Sequence, residues 1–350
     1  MSTPRGIAAR VRDALDLRLL LLLVAGLFAL LAIQDPRIVL ARPVYRYVFV
    51  LDVTESMNVA DVGPAGTPVT RIAWAKQAAA GALEQLGCGS EAGLAIFAER
   101  RALLLFAPVE VCAHYGTIVS MLDRVDWRLA WRGGSEIAHG LDSSMQMVRA
   151  LGHDTRLVFL TDGHEAPPVH PELRMHLDDD AGVASGLIVG IGGDRPVPIP
   201  VLEEDGTQSG WWKADQVQQA DSYSLGRQGS ESSESMTGVD SGDLKARIAQ
   251  GTEHLSSLHE SYLRQLAQEA RLDYERLRAP DDLGAMLARA RYAHSQAVAT
   301  SVRTPLALAA LACLVAALGA PLLARAAAGR RHARFLRDSS HSRRDPGEAL

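Results

Sequence analysis

Two short runs of this chain, residues 156–161 (RLVFLT) and 186–191 (GLIVGI), are apolar continuously rather than alternately, and a third, 45–51 (YRYVFVL), is dense in β-forming side chains. Strands of that kind are buried on both faces, which requires helices above and below the sheet. The segments between them supply those helices. Residues 71–86 carry apolar side chains at helical spacing and stop at Gly87; 114–125, 136–151 and 255–270 read as helices, 172–178 as a weaker one, and 280–291 as a final one. Residues 92–98 and 102–107 read as a hairpin turning at Glu99, Arg100 and Arg101, and 272–277 supplies a closing strand. Strand and helix taking turns predict an α/β fold, a doubly wound and mostly parallel sheet with one antiparallel edge strand. The pattern fails between about residues 192 and 253, which reads as an insertion: a hairpin around Asp205-Gly206, then a Ser-rich and Gly-rich stretch, 226–242, expected to be flexible.

Two stretches depart from the globular average. Residues 19–33 (LLLLLVAGLFALLAI) and 306–324 (LALAALACLVAALGAPLLA) carry no charge, and each is about long enough to cross ~30 Å of hydrocarbon as a helix. The alternative for the first is a cleaved signal peptide, since Arg5, Arg10 and Arg12 precede it, but no A-x-A site follows. The alternative for the second is a buried core helix, yet it is apolar on every face and is followed by Arg325, Arg330, Arg331, Arg334 and Arg337. That basic tail is expected on the cytoplasmic side. The resulting organisation is a cytoplasmic N-terminus (1–16), a transmembrane helix (17–34), a periplasmic domain (44–296), a second transmembrane helix (304–324) and a basic cytoplasmic tail (325–350), in a bacterial inner membrane.

Cysteine usage bears on the compartment. Cys88 and Cys112 flank the hairpin at equal distances from Arg100, so antiparallel pairing brings them opposite one another and an oxidising compartment would join them. Two free buried thiols are the alternative. Cys313 lies inside the second apolar run, where packing is the default. A formal net charge of -5 and few aromatic residues offer neither a basic field nor a stacking platform, so nucleic acid is excluded as the expected partner. The positive charge is nearly all arginine, which in an Ala-rich and Leu-rich chain reads as composition rather than function.

In an open α/β sheet, ligands bind at the carboxyl ends of the strands. Three predicted loops there carry oxygen donors: Asp52-Val53-Thr54-Glu55-Ser56-Met57, Gly133-Gly134-Ser135 and Thr161-Asp162-Gly163. Residues two apart in an extended segment face one way, so Asp52, Thr54 and Ser56 can present a carboxylate and two hydroxyls to one point. Ser135 adds a hydroxyl and Asp162 a second carboxylate. An all-oxygen shell suits a hard cation, Mg²⁺ before Ca²⁺ or Mn²⁺. Each loop alone has a bland reading, as a helix N-cap, a loop and a turn; their order along the chain is what carries the signal.

With the segments LDVTESMNVAD, TRIAWAKQAA, GGSEIAHGL, VFLTDG and GLIVGIGG, the chain resembles von Willebrand factor A domains from Tyr45 to about Ala293, and more narrowly the bacterial membrane-anchored kind found beside MoxR-type ATPases. TDGHEAPP, PVEVC and the Trp211-Trp212 pair resemble the members of methanol-oxidation gene clusters. The resemblance implies a metal-ion-dependent adhesion site formed by Asp52, Thr54, Ser56, Ser135 and Asp162, with Thr54 and Ser135 exchanged for Ser and Thr relative to the usual pattern. It also implies a protein-binding role rather than an enzymatic one: the metal keeps an open position that a partner's Asp or Glu fills. A MoxR-type ATPase and a periplasmic methanol dehydrogenase, served by calcium insertion, are the partners it suggests, and a shift of the last helix, 280–291, which leads toward the second span, is the coupling across the membrane it suggests. The alternatives are a Mg²⁺-dependent hydrolase using Asp52 and Asp162, and a structural membrane scaffold. His164 and Glu165 read as a solvated loop, and Asp61 either as support for the first loop or as an Asx turn. Trp211 and Trp212 read either as a partner contact or as hairpin packing. No H-E-x-x-H, G-x-S-x-G or G-x-x-x-x-G-K is present.

Overall fold

The computed structural model describes residues 4–131, 133–168, 175, 177, 185–217 and 251–319, with the backbone alone for 4–16. Two compact units result, one from 1–41 with 297–350 and one from 42–296.

The larger unit is built on a six-stranded sheet. In chain order its strands are β2 (Arg46–Asp52), β5 (Glu91–Ala98), β6 (Arg101–Glu110), β7 (Arg156–Thr161), β8 (Gly186–Gly190) and β13 (Asp273–Arg276), arranged β13-β8-β7-β2-β5-β6. Every neighbouring pair is parallel except β5 and β6, whose antiparallel hairpin puts β6 at the edge. The alternation along β2 explains the double winding. Tyr47, Phe49 and Leu51 point to one face, where α2 (Arg71–Gln85), α3 (Val111–Asp123) and α6 (Asp282–Leu287) cover them with Ala78, Leu83, Leu122 and Leu283. Val48 and Val50 point to the other, covered by α4 (Ile137–Ala150) and α5 (Glu260–Glu269) through Leu141, Met145, Leu263 and Leu266. Full burial of each such Val, Leu, Phe or Met side chain is worth about 2 kcal/mol. At the open end of the hairpin, Cys88 and Cys112 are joined in a disulfide with Cα atoms 5.2 Å apart; closing a loop of this length stabilises by about 3 kcal/mol.

Short elements complete the unit: β3 (Ala60–Val62) with β4 (Val69–Thr70), β9 (Val197–Pro198) with β12 (Leu255–Ser256), and β10 (Pro200–Leu202) with β11 (Gln208–Trp211). The β10–β11 hairpin turns at Asp205-Gly206, where Gly206 has φ 84°, a conformation that glycine adopts without steric cost.

Two sequence expectations need correction. Helix 255–270 begins only at Glu260, because Leu255 and Ser256 pair with Pro198 and Val197, and the amides of Leu258 and His259 donate to Gly193 O and Asp162 O, both at 2.9 Å. Helix 280–291 is the single short α6 followed by a 3-10 turn at Ala290–Tyr292. The Tyr292 ring lies edge-on to Tyr47, its centroid 6.3 Å away, and its hydroxyl reaches Gly186 O and the Asp273 carboxylate, which ends the helix over the sheet. A strand, β14 (His294–Ser301), follows and pairs with β1 (Arg37–Val44), so the last helix does not run on into the second apolar segment. The expected helix 172–178 and flexible stretch 226–242 lie outside the described residues.

The smaller unit contains α1 (Pro4–Ile33) and a helix, α7, at 303–319. Among the described residues no helix is long and apolar enough to cross a membrane. Of the expected span 304–324, residues 320–324 lie outside the described residues, as does the basic tail.

Gly140 of α4 lies against Phe97 of β5, and a Cβ there would fall 2.0 Å from the ring. Alanine in a helix interior ordinarily gains about 1 kcal/mol over glycine; here the sign is expected to reverse. Gly140→Ala should destabilise by about 1–3 kcal/mol in denaturant unfolding, and a variant as stable as the parent or more so contradicts this packing.

Candidate functional site

β2 and β7 are neighbours with Leu51 opposite Leu160, so the residues that end them, Asp52 and Thr161, emerge side by side. Thr161 Oγ1 donates to Asp52 Oδ2 at 2.6 Å. Asp52 Oδ1 accepts from the Thr54 amide at 2.9 Å and from Thr54 Oγ1 at 2.7 Å. A 3-10 turn, Glu55–Asn58, then brings Ser56 Oγ within 3.4 Å of Thr54 Oγ1, and Arg71 Nη1 bridges Ser56 O, at 3.4 Å, and Asp162 Oδ2. Three of the five expected ligands, Asp52, Thr54 and Ser56, therefore belong to one side-chain network, and Arg71 ties Asp162 to it through Ser56 O.

Ser135 arrives through the backbone. Its amide donates to Ala166 O at 2.8 Å and its carbonyl accepts from the Ala166 amide at 2.9 Å, while the amides of Glu99 and Glu136 bond Gly134 O and Glu99 O. The third loop is thus tied to the segment after β7 and to the end of β5. Ser135 is 1% exposed and its hydroxyl has no hydrogen-bond partner among the described residues. An orphaned buried hydroxyl costs about 1–3 kcal/mol unless something takes it up.

Burial governs the charges. Asp52 is pushed up to about 7, first by desolvation and then by the charge of Asp162. Desolvation acts on Asp162 in the same direction and is the largest single influence, but the Arg71 guanidinium, His164 and the hydrogen bonds the carboxylate accepts together outweigh it and hold that carboxyl below the usual carboxylate range.

Arg71 went unnoticed in the sequence, where arginine read as composition. It is fully buried at the first position of α2, after the Thr70 N-cap, where the helix dipole disfavours a cation. Its ion pairs offset that. Nη1 contacts Asp162 Oδ2, and Nε and Nη2 reach the two oxygens of Asp61 at 2.9 and 2.6 Å. Nη1 also donates to Ser256 Oγ at 2.6 Å, and Nη2 to Ser256 O at 3.2 Å. Asp61 in turn accepts from the Gly193 amide at 2.9 Å. Asp61 is therefore the second carboxylate of a buried ion-pair network that joins the first loop to both ends of the insertion. The available signal was the segment TRIAWAK directly after the first loop.

His164 departs from the solvated loop expected for it. Docking of α5 through the His259 amide covers it, leaving it 3% exposed with its ring edge-on to His259 at 5.6 Å. Burial pushes it down to about 4, so the ring is neutral near pH 7. Beside it Glu253, 3.9 Å away, is pushed up to about 7 by burial and by the charge of Glu165, and Glu165 accepts from Tyr262 Oη at 2.5 Å. Trp212 is half-buried and faces Glu55 across a small depression, while Trp211 is exposed.

Two carboxylates and three hydroxyls are a hard donor set. The unpartnered Ser135 hydroxyl, together with the lack of a cationic partner for Asp52 among the described residues, fits a divalent metal here. A second cluster of metal-type residues, Cys88, Glu110 and Cys112, offers no thiolate, because its cysteines are bonded to each other.

Residues 47–164 match the family model of the von Willebrand factor type A domain. The chain carries a von Willebrand factor type A domain. Domains of this type generally mediate protein–protein interactions. No curated protein matches the chain. Among solved structures the von Willebrand factor type A fold here is similar to BatB from Bacteroides thetaiotaomicron, 16% identical, covering 69% of this chain and 95% of that one with a TM-score of 0.44. It is also similar to an aerotolerance-related membrane protein from Bacteroides fragilis, 14% identical, covering 69% and 96% with a TM-score of 0.42. A von Willebrand factor type A protein from Catenulispora acidiphila is 12% identical, covering 76% and 43% with a TM-score of 0.38.

Replacing Arg71 by Met leaves Asp61 and Asp162 buried without their cation, which should cost about 3–5 kcal/mol in urea unfolding. Stability within 1 kcal/mol of the parent, on the order of a surface substitution, contradicts the role given to this network.

Proposed function

We propose that this domain is a metal-dependent binding module in which Asp52, Thr54, Ser56, Ser135 and Asp162 hold Mg²⁺, with Ca²⁺ or Mn²⁺ as substitutes, and capture a carboxylate from a partner protein. The single observation that carries this reading is the unpartnered, buried hydroxyl of Ser135, on a loop whose backbone is bonded to Ala166 just after Asp162, with the other four side chains linked at the ends of β2 and β7. When bound, the metal supplies an open coordination position for an Asp or Glu of the partner. The chain's own residues do the rest. Thr161 and the Thr54 amide orient Asp52, Arg71 fixes Asp162 and supplies part of the compensating charge, and the paired backbone bonds to Ala166 hold Ser135 in place.

Binding rather than catalysis is the better reading of this donor set. The histidine nearest Asp162 is buried and neutral, which leaves it an undistinguished candidate for proton transfer to or from a solvent-side substrate. Membrane anchoring belongs to the same proposal. Leu19, Leu20, Leu23, Leu27 and Leu30 of α1 and Leu308, Leu311, Leu314 and Leu318 of α7 are exposed, an apolar surface on the scale that marks a membrane or protein contact. In this reading both termini are cytoplasmic and the domain is periplasmic, where the Cys88–Cys112 disulfide is favoured. The resemblance of TDGHEAPP and PVEVC to proteins of methanol-oxidation clusters supports a periplasmic methanol dehydrogenase as client, with a MoxR-type ATPase as cytoplasmic partner.

Retention of periplasmic proteins by the immobilised full chain tests this. With Mg²⁺ present the same partner should be held by the parent chain and lost, at least about tenfold, both with EDTA and with Asp52→Ala, a difference of ~1.4 kcal/mol or more. Equal retention under all three conditions would falsify metal-dependent capture.

A further inference from the structure

Directly beside the proposed metal site lies a depression of about 240 Å³ lined by Glu55, Gly133, Gly134, Ala166, Pro167 and Trp212, with Gln216 and Val217 at its edge. Its position follows from the chain. Glu55 stands between Thr54 and Ser56, Gly134 precedes Ser135, and Ala166 is bonded to Ser135 through both backbone groups. The depression therefore borders the loops that carry Thr54, Ser56 and Ser135.

Among the described residues, Glu55 is its one charged lining residue. The carboxylate is half-buried, and among the described residues no Lys or Arg forms an ion pair with it. Gly133, 3.8 Å from Glu55 Oε1 as measured to an added Cβ, has no side chain with which to cover it. The Trp212 indole supplies another wall and is brought there by the insertion, its amide donating to Ile199 O at 3.0 Å. A carboxylate in such a cleft favours a cation through charge. An apolar occupant would instead strip water from Glu55 without replacing its hydrogen bonds.

We propose that this depression is a subsite for a Lys or Arg side chain of the partner, one or two residues from the carboxylate that the metal takes. An extended chain rises about 3.3 Å per residue, so residues at that spacing span two adjoining subsites. The proposal rests on the carboxylate-capture reading and adds to it a rule about the neighbouring residue: a basic side chain in the partner strengthens binding.

The test uses the full chain with Mg²⁺ and three synthetic peptides, Ala-Lys-Asp-Ala, Ala-Leu-Asp-Ala and Ala-Lys-Asn-Ala, with blocked ends, followed by titration calorimetry or NMR. The Lys-Asp peptide should bind at least about tenfold more tightly than the Leu-Asp peptide, and the Lys-Asn peptide should not bind. Glu55→Gln should erase the preference for Lys while leaving Mg²⁺-dependent binding of the Leu-Asp peptide in place. Equal affinity for the Lys-Asp and Leu-Asp peptides, or a preference that survives Glu55→Gln, overturns the cationic subsite and leaves carboxylate capture standing. Failure of both Asp peptides to bind in Mg²⁺ overturns carboxylate capture and the subsite with it.

Discussion

Two carboxylates, Asp52 and Asp162, are fully buried at the carboxyl ends of neighbouring parallel strands, and their repulsion in a medium of low polarity is relieved either by positive charge or by a proton on one of them. Arg71 supplies positive charge at Asp162. Asp52 is surrounded by hydroxyl and amide donors from Thr54 and Thr161, with no cation among the described residues, and burial beside Asp162 drives its proton affinity up. Folding tolerates this because the loop, the strand ends and α2 are each held by many other contacts. The electrostatic demand at Asp52 is local, and the Thr54 and Ser56 hydroxyls, oxygen donors of the kind a hard cation prefers, belong to the same network.

The same guanidinium binds the site to a more distant part of the chain. Through Asp61 it reaches the Gly193 amide, and directly it reaches Ser256, which are the residues on either side of the insertion. The insertion in turn carries Trp212 to the rim of the site. Asp52, Thr54, Ser56, Asp162, the buried ion pairs and both ends of the insertion are thus linked in one polar structure. In such a structure, removing one member leaves its partners buried and unpaired.

Much of this was legible in the sequence because it rests on patterns of short range. Residues 156–161 and 186–191 are apolar without alternation and became strands buried on both faces; the D-x-T-x-S spacing put three oxygens on one side of an extended loop. What escaped notice depends on contacts that no local pattern encodes. Arg71 looks like any helical arginine until Asp61, Asp162 and Ser256 converge on it from separations of 10, 91 and 185 residues. Residues 255–259 have helical periodicity, but sheet pairing to β9 and the amide bonds to Gly193 and Asp162 take precedence over it. His164 sits in a polar segment and is buried only because α5 docks over it. β14 reads as polar because it is largely exposed, so hydrophobicity gave it no signature.

Anomalous diffraction from crystals of the chain soaked in Mn²⁺ measures the central claim most directly. The expected result is a single manganese peak among Asp52, Thr54, Ser56, Ser135 and Asp162, with the Ser135 hydroxyl in its coordination sphere and the peak absent from Asp52→Ala crystals. A map with no peak there, or a peak that Ser135 does not reach, contradicts it.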